Sequence, residues 1–252
     1  MGHATTPTFD PRPFLENLRV EGAVTVASAR RIGLDATVPT CEGWVVGDVV
    51  GHLGRVHRSV SEIIERRSVE IPDVAIPRPP EGEAVLGFFE EGLERLLAAL
   101  DDLTHDLDAT LYTWAGPGTG RFYFRRMAHE LAVHRLDVES AGAEPPTDFD
   151  PDMSVDGVSE LFEVLVPFSA RRWERPLPAG SLHLHRTDGP GEWLVRAEAG
   201  EVVSTQEHAK GDAAVRGSAS DLFRFVWNRG AGPSIEVLGD KAVADEWAAL
   251  AP

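Results

Sequence analysis

The stretch "RRMAHELAVHRLDVE", residues 125–139, places Glu130 and His134 four residues apart, with His129 beside the glutamate. A helix advances about 100° per residue, so Glu130 and His134 stand roughly 40° apart around its axis and one turn apart along it. A carboxylate oxygen and an imidazole nitrogen on one face are a pair of ligands for zinc or another divalent metal. His129 and His134 lie about 140° apart and cannot share an ion. The zinc-protease pattern HExxH needs histidines four apart, and these are five apart, so that reading fails. Two donors do not make a site, and the third must come from another helix. His52, in "VVGDVVGHLGRV", is the best placed, on a helical face shared with Val45, Val49 and Val56. His57, among Arg55, Arg58 and acidic residues, is expected to face water. Taken alone, His52 reads more simply as a core histidine, and Glu130 with His134 as a helix-surface pair. Spacing by itself leaves the metal open.

These residues need helices to hold them. "PFLENLRVEGAVTVASARRIG" (13–33), "VVGDVVGHLGRVHRSVSEIIERR" (about 46–67) and "AVLGFFEEGLERLLAALDDL" (84–103) carry apolar residues at helical spacing. A fourth helix holds the opening stretch, and four such helices joined by loops predict an antiparallel bundle. The loop "WAGPGTG" before it lacks the Lys-Ser/Thr of a phosphate-binding loop and reads as a plain connector, with a flexible loop over a pocket as the functional alternative. "AGAEPPTDFDPD" (141–152) marks a boundary. After one more helix, about 154–173, come short strands in "SLHLHRT", "EWLVRAEA", "EVVSTQE" and "AAVRGS". A helix in "SASDLFRFVWNRG", capped by Ser218 or Ser220, a strand in "SIEVLGD" and a helix in "KAVADEWAAL" follow. The fold class is therefore α+β: a four-helix bundle over 1–150, then a small α+β domain over 151–252. Trp227 and Phe225 read as core. His183 and His185 alternate in a strand and share a face; with no carboxylate or thiol near in sequence, they are expected to be exposed.

Composition narrows the function. The 252 residues are 42% hydrophobic, enough for a core, and no apolar run reaches the length of a membrane span. "MGHATTPTFDPRPF" lacks a basic start followed by an apolar stretch and does not read as a secretory signal. Cys41 is the sole cysteine, so no disulfide forms within the chain and a cytoplasmic setting is expected. The formal charge of −17 repels phosphate backbones and argues against nucleic acid as a partner.

"VPTCEGWVVGDVVGHLGRVHR" together with "RRMAHELAVHRLDVE" resembles the mycothiol-dependent maleylpyruvate isomerase family, part of the DinB-like metal-binding bundles. The residues that carry the likeness are the Pro-Thr-Cys-x-Gly-Trp lead-in, the histidine eight residues after Trp44, and the later Glu-x-x-x-His. The likeness covers nearly the whole chain, and the second half is similar to that family's C-terminal domain, a sterol-carrier-like α+β unit. The resemblance implies a DinB-like bundle in which His52, Glu130 and His134 ligate zinc or another divalent metal. It also implies mycothiol as the thiol cosubstrate.

Three protein ligands on zinc leave a fourth position open, as in catalytic sites. A thiol bound there would ionise and become a nucleophile at neutral pH. It could promote cis–trans isomerisation, or form a conjugate with a small electrophile; S-transfer is the broader statement. Cys41 reads as a small residue in a tight turn rather than as that thiol. Arg126, one turn before Glu130, and Arg229, at the end of a second-domain helix, are the candidate catalytic and cofactor-binding arginines. Each has a plainer reading, Arg126 as the partner of a helix carboxylate and Arg229 as a helix-end charge. Asp137 is placed either to orient His134 or to pair with an arginine. The expected partners are a small thiol and an electrophilic substrate, with no nucleic acid or membrane, in a monomer or homodimer. Two other classes stay open: a non-catalytic protein that binds a small ligand, and a hydrolase using zinc-bound water.

Overall fold

A computed structural model describes residues 9–172 and 174–252. The first eight residues, on which the reading of the N-terminus partly rests, and Trp173, the last residue of the expected 154–173 helix, lie outside the described residues. The chain divides into two compact units. One ends at Thr37 and resumes over Trp44–Leu131; the other takes Val38–Gly43 and Ala132–Pro252.

The first unit is built on long helices. Helix α1, Arg12–Ile32, opens on prolines that fit a first turn, and closes with Arg30 and Arg31 near its negative end. Helix α2 is Val46–Glu65, and Asp48 accepts the Val45 N–H at 3.0 Å to satisfy one donor of its first turn. Helix α3, Ala84–Leu103, has the limits its apolar spacing predicts and buries Leu86, Phe89, Leu93, Leu96 and Leu100. Two glycines bring α2 and α3 close: a Cβ on Gly54 would lie 2.6 Å from the Phe88 ring, and one on Gly92 would lie 2.9 Å from the Gly54 carbonyl. Arg58 covers this crossing with its guanidinium 3.7 Å from the Phe88 ring centre.

His57 does not face water as its charged neighbours suggested. It is fully buried against Phe89, ring centres 5.4 Å apart. Its place four residues after Leu53 and three before Val60 puts it on the inward stripe of α2, and helical phase overrides the charge of its neighbours.

The expected plain connector before the fourth helix is in fact paired. Strand β1, Thr110–Leu111, and strand β2, Gly118–Thr119, form a small antiparallel ladder around it. Helix α4 follows at once, Gly120–Ser140, and runs as one continuous element through both units. In the first unit it buries Tyr123, Phe124, Met127 and Leu131, with His129 edge-on to Phe14 of α1. Helices α1 to α4 are the bundle that the sequence predicts.

The second unit begins its own elements with α5, Pro151–Glu160, whose cap Asp150 accepts the N–H groups of Asp152 and Met153, each at 3.0 Å. A single π-type stretch, Leu161–Leu165, joins it to α6, Val166–Arg172. Five strands follow: β3, Leu182–Arg186; β4, Glu192–Glu198; β5, Glu201–Thr205; β6, Ala213–Gly217; and β7, Glu236–Gly239. They form a sheet in the order β5-β4-β3-β6-β7, parallel only between β3 and β6. Helix α7, Ala219–Val226, lies between β6 and β7 in sequence, and α8, Lys241–Ala248, closes the chain. Of the two candidate caps for α7, Ser218 accepts the Asp221 N–H, while Ser220 accepts the Phe149 N–H.

One face of this sheet is core. Leu182, Leu184, Trp193, Val195, Ala213 and Val215 share it and are almost wholly buried. Three indole N–H groups are satisfied in this unit: Trp193 on the Ser159 hydroxyl, Trp227 on the Gly157 carbonyl and Trp247 on the Gly180 carbonyl. Trp227 and Phe225 are core residues, as expected. His183 and His185 point to the opposite face but are not the exposed pair the sequence suggested. His183 is buried, His185 is half-buried, and the β3–β4 register sets Glu192 directly across from His185. Among the described residues, no helix is long and apolar enough to cross a membrane.

Candidate metal centre

Helix α2 supplies His52, and α4 supplies Glu130 and, one turn on, His134. His52 Nε2 lies 3.2 Å from Glu130 Oε1. The three side chains offer ligand atoms that all lie within 4.8 Å of one another. A tetrahedral zinc with bonds near 2.0–2.1 Å holds its donors about 3.3 Å apart. The donor set, two imidazoles and one carboxylate, is that of a divalent transition metal, and the spacing needs only small side-chain rotations to close on one ion. All three are partly exposed, so the cluster is accessible to a small molecule.

Each of the α4 donors is held from behind. Arg126, buried to 2% exposure, sits one turn before Glu130, and its Nη2 lies 3.2 Å from Glu130 Oε2. His134 Nδ1 lies 2.8 Å from Asp137 Oδ2. With Nδ1 engaged on a carboxylate, Nε2 is the nitrogen that would bind a cation. Asp137 is itself fully buried and accepts the Thr40 hydroxyl at 2.6 Å and Arg229 Nε at 2.9 Å. Burial alone would raise its pKa, but the hydrogen bond from His134 and the Arg229 charge outweigh it and hold the carboxyl well below the usual range.

The two arginines singled out from the sequence therefore both stand on carboxylates. Arg229 follows α7 between Asn228 and Gly230, both with positive φ (56° and 90°). This turn lets the guanidinium also donate to the Trp227 and Pro252 carbonyls, at 2.8 and 3.0 Å. The lead-in to α2 contributes more than the sequence reading assigned to it. Thr40 binds Asp137, and Trp44 lays its ring edgewise on His52, centres 5.4 Å apart. Both belong to the Pro-Thr-Cys-x-Gly-Trp stretch, which was the available signal.

Cys41, His134 and Asp137 also offer atoms within 4.8 Å of one another. That trio is the poorer donor set. Asp137 would have to give up Arg229 and Thr40, and the Cys41 thiol is pushed up to about 11, by burial first and by the Asp137 charge second. Such a thiol stays protonated at neutral pH. His129 is buried away from the cluster, as its helical phase requires.

Comparison with known proteins places the chain in a family. The family described as the mycothiol maleylpyruvate isomerase N-terminal domain matches residues 15–139, and the MDMPI C-terminal domain matches residues 152–246. No curated protein matches the chain. A crystal structure of the mycothiol-dependent maleylpyruvate isomerase superposes with a TM-score of 0.66 at 13% identity, over 91% of this chain and 93% of that one. The structure of its H52A mutant gives 0.67 at the same identity and coverage. At this identity the superposition speaks for a shared fold, and the two domain matches, which together span most of the sequence, speak for descent. The chain belongs to the mycothiol-dependent maleylpyruvate isomerase family, a family of enzymes.

Proposed function

We propose that His52, Glu130 and His134 hold a divalent cation, zinc in the simplest case, and that the chain activates a low-molecular-weight thiol, mycothiol, against a small electrophile. The observation that carries this reading is the convergence of three donors from two helices within 4.8 Å. A cation held by His52, Glu130 and His134 would supply a coordination place at which a thiol ionises at neutral pH.

The chain's own groups prepare that place. Glu130 brings the negative charge, and Arg126 engages its second oxygen, favouring binding through a single oxygen. Asp137 accepts a hydrogen bond from the His134 Nδ1–H and fixes the tautomer, while the Arg229 charge keeps Asp137 ionised and the Thr40 hydroxyl helps hold it in place. Arg126 and Arg229 thus act through Glu130 and Asp137, as positioning residues. The sulfur of the thiolate adds to an activated double bond. Rotation and departure of the same thiolate give the isomer, whereas loss of a leaving group from the substrate gives a thiol conjugate. The setting consistent with this chemistry is the cytoplasm, where thiols stay reduced.

The test is turnover of maleylpyruvate and of a panel of small electrophiles by zinc-loaded protein, with and without mycothiol, followed by mass spectrometry. Isomer or adduct that requires mycothiol and disappears in His52→Ala supports the reading. Ester or amide hydrolysis without thiol would assign the site to zinc-bound water instead. Tight binding of a small ligand with no turnover would make the chain a binding protein.

A further inference from the structure

The β3 sequence "HLH" puts His183 and His185 on one face of the sheet, and the face opposite holds the core. The tight turn that joins β3 to β4 sets Glu192 in register with His185. The segment after β5 returns His208 to the same place. The result is a cluster of three imidazoles around one carboxylate, built from residues that are scattered in sequence and play no part in the centre on α2 and α4.

We propose that His183, His185, Glu192 and His208 form a second divalent-metal site, one that closes around its ion and ties the segment carrying His208 to the sheet. Their ligand atoms all lie within 4.8 Å of one another. His185 Nδ1 and His208 Nδ1 lie 2.7 Å from the two oxygens of Glu192, and His183 Nε2 lies 3.8 Å from Oε2. Three nitrogens and one oxygen match the ligand types of zinc and of the late first-row metals. A hydrogen-bond network alone accounts for His185, His208 and Glu192. It does not account for His183, whose Nε2 is buried, has no hydrogen-bond partner among the described residues and lies on the side of the cluster. A buried ring nitrogen that faces a carboxylate beyond hydrogen-bonding distance is a donor that a shared cation would satisfy. The cations on the same face are paired elsewhere, Arg216 with Glu236 at 3.4 Å and Arg196 with Glu198 at 2.5 Å, which leaves Glu192 to the histidines.

Four protein ligands fill a tetrahedron, so this site has no place for substrate, and its role is structural. His208 is the switchable member: its side chain is 79% exposed, while the other three are set by the β3–β4 hairpin. Metal binding therefore orders residues 206–212 against the hairpin, and metal loss releases them.

The experiment measures zinc stoichiometry and affinity on the full chain by elemental analysis and competition with a chromophoric chelator. Wild-type protein is expected to hold two equivalents and His52→Ala one. Adding His208→Ala or His185→Ala to His52→Ala should weaken that remaining equivalent by at least about 100-fold. Cobalt bound to His52→Ala should give the intense visible bands of a tetrahedral ion, and these should vanish with His208→Ala. His208 is exposed, so its replacement leaves the fold intact. A His52→Ala protein that binds no zinc, or one whose zinc is indifferent to both sheet substitutions, overturns the proposal.

Discussion

The two donor clusters differ in what stands behind them. On α2 and α4, three donors are each propped by another side chain: Glu130 by Arg126, His134 by Asp137, and His52 by the edge of Trp44. On the sheet, four donors are held mainly by one another, with Glu192 at the centre. Second partners fix orientation and tune basicity, which matters where chemistry takes place at the ion. A cluster without them can still bind, but nothing in it is arranged for a reacting molecule. Three donors with supports fit the open, working site proposed for α2 and α4; four donors without them fit the fastening proposed for the sheet.

This contrast can be broken or sharpened by substitution. The largest effect is expected from His52→Ala, which removes a donor of the open site and should lower thiol-dependent turnover by about 1,000-fold or more, equivalent to roughly 4 kcal/mol. His185→Ala should leave the same turnover within about twofold, since the closed site takes no substrate; steady-state kinetics on both variants compares the regions directly. Asp137→Asn comes next. It weakens the grip on His134 and leaves Arg229 without a charged partner, so zinc affinity or turnover should fall about 10–100-fold, read by chelator competition and by kcat. Arg126→Met should cost less, about tenfold in kcat, because Glu130 retains His52 as a neighbour. Cys41→Ala should change turnover by less than about twofold, because the thiol is protonated and acts on nothing. A large loss in Cys41→Ala would move the reactive sulfur into the chain and undo the case for an external thiol.

Much of this was readable before any coordinates. The α3 limits, the five strands β3 to β7 and the placing of Glu130 and His134 on one helical face follow from local periodicity, whereas the short β1–β2 ladder carries no such signal. The partners of those residues were harder, because they depend on pairings remote in sequence. Thr40 meets Asp137 across 97 positions, and no periodicity predicts that contact. His183 and His185 were misjudged for a different reason. Glu192 is seven residues from His185, and the Asp-Gly-Pro-Gly turn between them fixes the register of an antiparallel hairpin. Folding the two strands back on that turn would have placed the carboxylate opposite the imidazole. His57 likewise needed its phase along α2, not the charge of its neighbours.

The raised pKa of Cys41 has a consequence for durability. An enzyme that works on electrophiles bathes its own surface in reagents that attack thiolates. The chain has a single sulfhydryl, kept in its unreactive protonated form first by its partial burial and second by the carboxylate beside it. On the proposed chemistry, the burial and charge around Cys41 also spare the protein from covalent self-inactivation by its own substrates.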